Sequence, residues 1–221
     1  MRRRLLLAGI ILVTASLAVA EELPLAAPEE VGMSAERLER VGGVLDELVD
    51  RREVPGFVTL VARKGKVVHW EAHGHRAIDS EDPMPRDAIF ALASMTKPIT
   101  VVSALMLFER GLFVMHGPIS NYLPDFKGPM VRISKGETAP AKRELSPHDL
   151  FTHTSGVKDP LPRLEKYKYQ TLAQHMSGLA REPLQFQPGT QWLYGDSHDV
   201  LGYFVEGVLS VRMRRLTWWR R

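Results

Sequence analysis

Two kinds of hydrophobic periodicity divide the chain. Apolar residues recur at every third or fourth position between residues 34 and 52, which predicts an amphipathic helix with Ser34 as its N-cap. Residues 57–62 and 67–72 are instead short apolar runs on either side of Lys64-Gly65-Lys66, a pattern typical of a β-hairpin. Because a two-stranded hairpin is not stable alone in water, either later strands complete this sheet or the chain ends before they arrive.

Helical periodicity dominates the remainder of the chain. The stretch 88–111 predicts a second helix, and its apolar face is formed by Ile99, Val102, Leu105, Met106 and Phe108. Residues 112–145 are rich in proline and glycine and predict loops. The order Ser146-Pro147-His148-Asp149 predicts the start of a short helix, with a serine cap, a proline in the first turn and then an acid. Further helices are predicted over 161–179 and 200–211.

The first twenty residues predict a targeting segment and not a part of the fold. Three arginines precede an apolar run from Leu5 to about Val19, which ends in small residues at Ala20, and this order is typical of a secretory signal peptide. The run is shorter than the roughly 20 residues that span a bilayer, although an uncleaved N-terminal anchor is the alternative. We expect cleavage after Ala20, no membrane span in the mature chain, and a periplasmic or secreted location in a bacterium.

Composition and charge exclude several classes of protein. The chain has 221 residues, 44% of them hydrophobic, and no cysteine, which excludes a disulfide framework, a thiolate metal site and a cysteine nucleophile. Removing the three arginines of the signal peptide from the 29 basic residues leaves 26 against 26 acidic ones, so the mature chain is neutral. Without a clustered basic surface, we expect no nucleic-acid partner.

The eight histidines do not form a metal-binding pattern. The nearest pairs are His73 with His75 and His148 with His153, and neither pair has the spacing of four with an acid that a zinc helix shows. We therefore expect no metal and no organic cofactor. His153 is expected to be structural, with its ring hydrogen-bonded to the backbone.

Ser94 and Lys97 are candidates for a catalytic nucleophile and its base. Residues three apart on a helix share a face, with Cβ atoms about 5–6 Å apart. A serine hydroxyl is a poor nucleophile until a base takes its proton, and a desolvated lysine near a helix N-terminus can serve as that base. The spacing alone also fits an exposed serine beside a solvated lysine, but here the pair opens a helix directly after a hairpin.

Four stretches together point to a family. Phe90–Thr100 resembles the nucleophile motif of the serine β-lactamase and penicillin-binding-protein superfamily, most closely its class C-like branch, which includes family VIII carboxylesterases. Residues 111–126 resemble the loop that follows the nucleophile helix in this family. Residues 150–156 resemble its Thr-His-Thr-Ser-Gly segment, and 186–194 followed by 199–202 resemble its tyrosine motif and the helix behind it.

The resemblance implies a role for three residues. Ser94 would be the acylated nucleophile, Lys97 would help to deprotonate it, and Tyr194 would be the partner base and the acid to the leaving group. One oxyanion donor would be the backbone N–H of Ser94. Taken outside its motif, Tyr194 would instead be interpreted as a tyrosine of the core or rim.

The same resemblance exposes two departures. The family usually has Tyr-x-Asn where this chain has Tyr194-Gly195-Asp196. Asp196 is a candidate substrate-binding residue and could accept a hydrogen bond from Lys97. Unlike asparagine, it has no amide proton to donate to a substrate carbonyl, and this favours an esterase or peptidase over an efficient β-lactamase. The family's later Lys/His-Thr/Ser-Gly motif does not follow Tyr194, and the basic stretch 209–221 resembles nothing expected there. We therefore interpret the chain as C-terminally truncated. The alternative interpretation of 209–221 is a tail that binds a membrane surface.

The implied fold is α+β and β-lactamase-like: an antiparallel sheet flanked by helices plus an all-helical domain, here without its C-terminal strands. After the signal peptide at 1–20, the family domain would span 21–208 and the atypical tail 209–221. Within that domain, 21–85 would form the helix and hairpin of the sheet part, 86–190 the helical part, and 191–208 the return segment.

The implied function is that of a secreted serine hydrolase which acts through an acyl-enzyme on a small-molecule ester, amide or peptide. Two alternatives remain open at this stage. One is an inactive truncated fragment, since a lost oxyanion donor can lower a rate about 10²–10³-fold. The other is a penicillin-binding module that is acylated without turnover.

Overall fold

The computed structural model describes residues 22–159 and 171–217 of the chain. The chain forms two compact units, which meet in sequence between Phe90 and Ala91. The predicted signal peptide lies outside the described residues, as does the first half of the helix predicted over 161–179. None of the helices in the described part is both long and apolar enough to span a lipid bilayer.

The first unit contains one long helix and a hairpin. Helix α1 (Ala35–Asp50) confirms the predicted amphipathic helix, and the Ser34 hydroxyl caps it by accepting the backbone N–H of Arg37 over 3.3 Å. Because the first N–H groups of a helix have no intrahelical partner, this bond replaces one that would otherwise be missing. The helix packs on the second strand of the hairpin, where the buried Gly42 lies against the His73 side chain.

The hairpin also follows the prediction. Strands β1 (Gly56–Arg63) and β2 (Lys66–Gly74) pair antiparallel, and within the described residues they form a sheet of two strands. Lys64 and Gly65 make the turn with φ of +52° and +72°. Two consecutive left-handed residues match the twist of the flanking strands, which is why a glycine is found here.

The second unit is mainly helical. Its regular elements are α2 (Thr96–Glu109), β3 (Met130–Ser134), β4 (Glu137–Pro140), α3 (Pro147–Phe151), α4 (Leu172–Leu179) and α5 (Ser197–Thr217). Short 3-10 turns are formed by Ala93–Met95, Ile119–Asn121 and Pro124–Phe126. Five helices with two small antiparallel sheets among the described residues make the fold α+β, as expected.

The core of this unit is built around α5. Val200, Leu201, Phe204 and Val208 on one face of the helix are all buried. The Phe204 ring packs edge to face against Phe113 and Tyr122, with centroids 5.0 and 5.2 Å away, the geometry that aromatic pairs favour. Helix α5 therefore gives the unit its centre and fixes the segment that enters it.

Two expectations for this unit are wrong. Residues 112–145 were expected to be loops, but 130–140 form the β3–β4 hairpin. The predicted apolar face of α2 was also wrong, because its five residues are 38–57% exposed. Ala104 and Leu107 are the residues of α2 that are buried. Helix α2 is apolar on every side, so periodicity could not identify the face that packs.

Candidate active site

Ser94, Lys97 and Tyr194 lie together in the second unit. The Tyr194 hydroxyl donates a hydrogen bond to Ser94 Oγ over 2.6 Å, although the two residues are 100 positions apart in sequence. Lys97 Nζ lies 4.9 Å from the centroid of the Tyr194 ring. Both hydroxyl-bearing residues are exposed, so a substrate can reach them. The structure thus brings together the three residues predicted to be catalytic, and their roles stay predictions.

The backbone places Ser94 just before a helix and not inside it. Ser94 is the central residue of the 3-10 turn Ala93–Met95, and Lys97 is the second residue of α2. Ala93 has φ +46°, a left-handed conformation that costs a residue with a side chain roughly 1 kcal/mol or more. Strain of this kind is concentrated at functional positions, and the helix N-terminus next to it favours negative charge on the serine oxygen.

The position of Tyr194 depends on hydrogen bonds between two of the motifs. The backbone N–H of Leu193 donates to the carbonyl oxygen of His153 over 2.9 Å. The N–H of Gly189 donates to the carbonyl oxygen of Thr154 over 2.8 Å. The Thr-His-Thr-Ser-Gly segment therefore acts as a backbone template that holds the tyrosine motif in place.

Two glycines allow these segments to approach closely. Gly156 has φ +74°, and a Cβ there would lie 2.9 Å from the carbonyl oxygen of Phe186. Gly189 has φ +81°, and a Cβ there would lie 2.6 Å from Arg143 Nη2. Left-handed backbone would strain any other residue at both positions, and at Gly156 the close contact with backbone leaves no room for a Cβ.

The carboxylate of Asp149, three residues before the Thr-His-Thr-Ser-Gly segment, is buried and hydrogen-bonded. Asp149 is 1% exposed and receives a bidentate pair of hydrogen bonds from Arg143 over 2.6 and 2.7 Å. It also accepts the N–H and hydroxyl of Ser146 at the start of α3, which confirms the predicted cap. Burial alone would raise the pKa of Asp149, but the hydrogen bonds from Arg143 and Ser146 outweigh burial and lower the pKa.

The electrostatics of the site favour the tyrosine as a base. The hydrogen bond with Ser94 lowers the pKa of the Tyr194 phenol, and Lys97 lowers it further through a hydrogen bond and its positive charge. Asp199 acts in the opposite direction. A phenol with a lowered pKa releases its proton more readily, which is the direction that the predicted role of Tyr194 as a base requires.

Two histidine rings lie behind the tyrosine. The centroid of the His153 ring is 4.8 Å from that of Tyr194 and 4.3 Å from that of His198. The expected hydrogen bond from the His153 ring to the backbone is not made by its buried Nδ1, which has no hydrogen-bond partner within the described residues. The ring is held instead by contacts with other rings.

The structure places Asp196 inside the unit. Asp196 is 5% exposed, and its Oδ2 accepts the backbone N–H of Asp159 over 2.8 Å. The carboxylate of Asp159 in turn lies at hydrogen-bond distance from His175, with 2.6 Å between Oδ2 and Nε2. Through Asp159, the Asp196 carboxylate connects α4 with the segment before α5. The role of Asp196 in substrate binding stays a prediction.

Sequence reasoning missed one residue of this region. His198 lies in the first turn of α5, four positions after Tyr194, and is 8% exposed. The predicted helix began only at residue 200 and residues 191–196 are not helical, so helical spacing gave no signal that connected His198 with Tyr194. The motif pattern assigned nothing to this position.

A serine at a helix start, hydrogen-bonded to a tyrosine beside a lysine, is the arrangement that the motif resemblance implies for a serine hydrolase. Residues 41–218 match the family model described as Beta-lactamase, and the chain therefore belongs to the beta-lactamase family. It is 32% identical to Esterase EstB of Burkholderia gladioli over 180 residues, which covers 76% of this chain and 44% of the esterase.

Solved structures agree with this assignment. EstCE1, described as a hydrolase with promiscuous acyltransferase activity, superposes with a TM-score of 0.67 at 28% identity over 79% of this chain and 48% of its own. Simvastatin synthase (LovD) from Aspergillus terreus superposes with a TM-score of 0.64 at 26% identity over 83% of this chain and 51% of its own. The chain spans about half the length of the relatives that it matches.

Proposed function

We propose that this chain carries the reacting groups of a serine hydrolase that forms an acyl-enzyme on Ser94 from a small-molecule ester. The observation that carries the proposal is the 2.6 Å hydrogen bond between Tyr194 and Ser94 beside Lys97. The names of the relatives support it, since they describe an esterase, a hydrolase with acyltransferase activity and a synthase.

The proposed first half-reaction uses the tyrosine as base and then as acid. The phenolate oxygen of Tyr194 takes the proton of Ser94 while Ser94 Oγ forms a bond to the carbonyl carbon of the ester. The ammonium of Lys97 stabilises the phenolate before the transfer. The tetrahedral intermediate then expels the alcohol, whose oxygen takes the proton from Tyr194, and the acyl group remains on Ser94. The backbone N–H of Ser94 supplies one hydrogen bond to the oxyanion.

The second half-reaction repeats these steps with another acceptor. Water gives its proton to Tyr194 and attacks the acyl carbon, after which Ser94 leaves and regains the proton, so a carboxylic acid is released. An alcohol in place of water would give a new ester by the same route.

Acylation can be tested directly on the purified chain. We expect incubation with p-nitrophenyl butyrate to add one butyryl group to Ser94, detected by intact mass and peptide mapping. The Ser94→Ala variant should remain unmodified, whereas Ser103→Ala, a matched serine change on α2, should be modified like the wild type. Equal release of nitrophenol by wild type and Ser94→Ala would remove the enzymatic proposal. Retention of a labelled penicillin without hydrolysis would show the penicillin-binding alternative instead.

Export is a separate proposal, supported by the sequence pattern of residues 1–20. The full chain, expressed in a Gram-negative host, should be recovered from the periplasm with Glu21 as its N-terminus, as read by mass spectrometry. Recovery from the cytoplasm with the leader intact would contradict it.

A further inference from the structure

The rings behind the proposed base form a cluster centred on His153. Besides Tyr194 and His198, the His153 ring has an edge contact with Trp192, at a centroid distance of 6.1 Å. The planes of His153 and Tyr194 are inclined by 37°, as are those of His153 and His198, so the His153 ring makes a tilted contact with each of the other two rings. Stacked rings restrict one another, because tilting any one of them loses contact with its neighbours.

His153 holds the tyrosine through its backbone as well as its ring. It has φ +56°, a conformation uncommon for a residue with a side chain, and its carbonyl oxygen accepts the N–H of Leu193, the residue before Tyr194. The same residue therefore fixes both the main chain and the aromatic ring of the tyrosine. Backbone strain away from glycine persists only when the surrounding structure determines it.

Burial and the charge of Lys97 both disfavour the charged form of the two imidazoles. His153 and His198 are 9% and 8% exposed, and the buried Nδ1 of each has no hydrogen-bond partner in the part of the chain that the structure describes. Burial lowers the pKa of His153, and the positive charge of Lys97 lowers it further. Burial lowers the pKa of His198 to about 4, with smaller effects of His153 and Lys97. Two neutral rings can stack closely where two cations would repel.

We propose that His153 and His198 are positioning residues for the proposed reaction: their rings, in contact with each other and with Tyr194 through His153, hold the Tyr194 ring at hydrogen-bond distance from Ser94. The proposal rests on the function proposed above. His153 makes the contact with the tyrosine, and His198 acts through His153 from the first turn of α5.

The test compares variants that keep an aromatic ring at each position with variants that remove it. In His153→Phe and His198→Phe an aromatic ring is retained, whereas His153→Ala and His198→Ala remove it. The matched control is His148→Ala, which removes one ring from the exposed pair His116 and His148, whose centroids are 4.9 Å apart. Circular dichroism shows which variants are folded.

Two measurements are made on each folded variant. The first is the pKa of Tyr194, followed by NMR of tyrosine labelled with ¹³C at Cζ and assigned with Tyr194→Phe. The second is the rate at which Ser94 reacts with p-nitrophenyl butyrate, separated into the maximal rate and the half-saturating concentration.

We expect the alanine variants to raise the pKa of Tyr194 towards its ordinary value, because the phenol moves away from Ser94 and Lys97. Their maximal acylation rate should fall about 10–100-fold, with little change in half-saturating concentration, since misplacing a reacting group by about 1 Å has effects of this size. The phenylalanine variants and His148→Ala should retain the wild-type values. Alanine variants with wild-type pKa and rate would overturn the positioning role, as would phenylalanine variants as impaired as the alanine ones. A shifted Tyr194 pKa with no acylation of Ser94 in any protein would leave the positioning role standing and remove the proposed function.

Discussion

At the scale of single residues, the proposed reaction depends on one proton that Tyr194 and Ser94 share. Tyr194 donates to Ser94 in the structure, and the lowered pKa of the phenol favours the reverse transfer that the proposed reaction requires. The phenolate has a cation beside it in Lys97. The tyrosine hydroxyl should therefore matter for rate much more than for the stability of the fold, since the residue is half exposed.

Removing that hydroxyl gives the first expected outcome. Tyr194→Phe should lower the rate of Ser94 acylation about 10²–10⁴-fold, the range of general acid–base catalysis, with little change in thermal unfolding. Tyr203→Phe on α5 is the control, because it removes a hydroxyl from the same unit away from Ser94. Stopped-flow release of nitrophenol measures both. A Tyr194→Phe variant as fast as the control would exclude the tyrosine as base.

A second expected outcome concerns His198 and pH. Since its pKa in the folded chain is about 4, the unfolded chain takes up a proton near pH 6.5 that the folded chain binds only near pH 4. The free energy of unfolding should therefore fall as pH drops from about 6.5 to 4, by on the order of 2 kcal/mol from this group. His198→Phe should remove that part of the slope in urea titrations made at several pH values. An unchanged slope would contradict the assignment.

At the scale of elements, caps and turns followed the local pattern, but the packing of α2 did not. Ser34, Ser146 and the Lys64-Gly65 turn lie where the sequence predicted them, because each depends on a few neighbouring residues. Which side of α2 is buried depends on α5 and the segments around Phe113, far away in sequence. The β3–β4 hairpin was missed because its strands are short and largely exposed.

Two leucines of α2 test this packing. Leu107 is 6% exposed and Leu105 is 38% exposed on the same helix. Leu107→Ala should lower the free energy of unfolding by about 2–4 kcal/mol, because it leaves a cavity in the core, whereas Leu105→Ala should cost less than about 1 kcal/mol. Urea midpoints at constant slope measure the difference. Equal losses would mean that both faces of α2 are covered in solution.

At the scale of the whole molecule, the chain consists of two compact units, and the proposed site lies in the second. The sequence between them is accessible: Ile89 is fully exposed and Phe90 is 48% exposed. Exposed connections without regular structure are where proteases cut first.

Limited proteolysis should therefore reveal the division. Chymotrypsin at low concentration should cut after Phe90 before it cuts inside either unit, and mass spectrometry of the early fragments identifies the site. Phe90→Ser should delay this cut, while Phe57→Ser, a change within β1, should leave it in place. Early cleavage inside α5 would contradict the proposed order.

The sequence by itself determined the elements whose causes are local: α1, the first hairpin and α3, through their caps, glycines and spacing. It also predicted catalytic roles for Ser94, Lys97 and Tyr194, for the last of these only through the resemblance of its motif, since periodicity says nothing about a partner 100 residues away. Tertiary structure alone decided that His153 and His198 stack behind the tyrosine, that Asp196 faces the backbone of Asp159, and that α2 packs through Ala104 and Leu107. The physical reason is that contacts between distant segments depend on how whole elements pack, which no short stretch of residues contains.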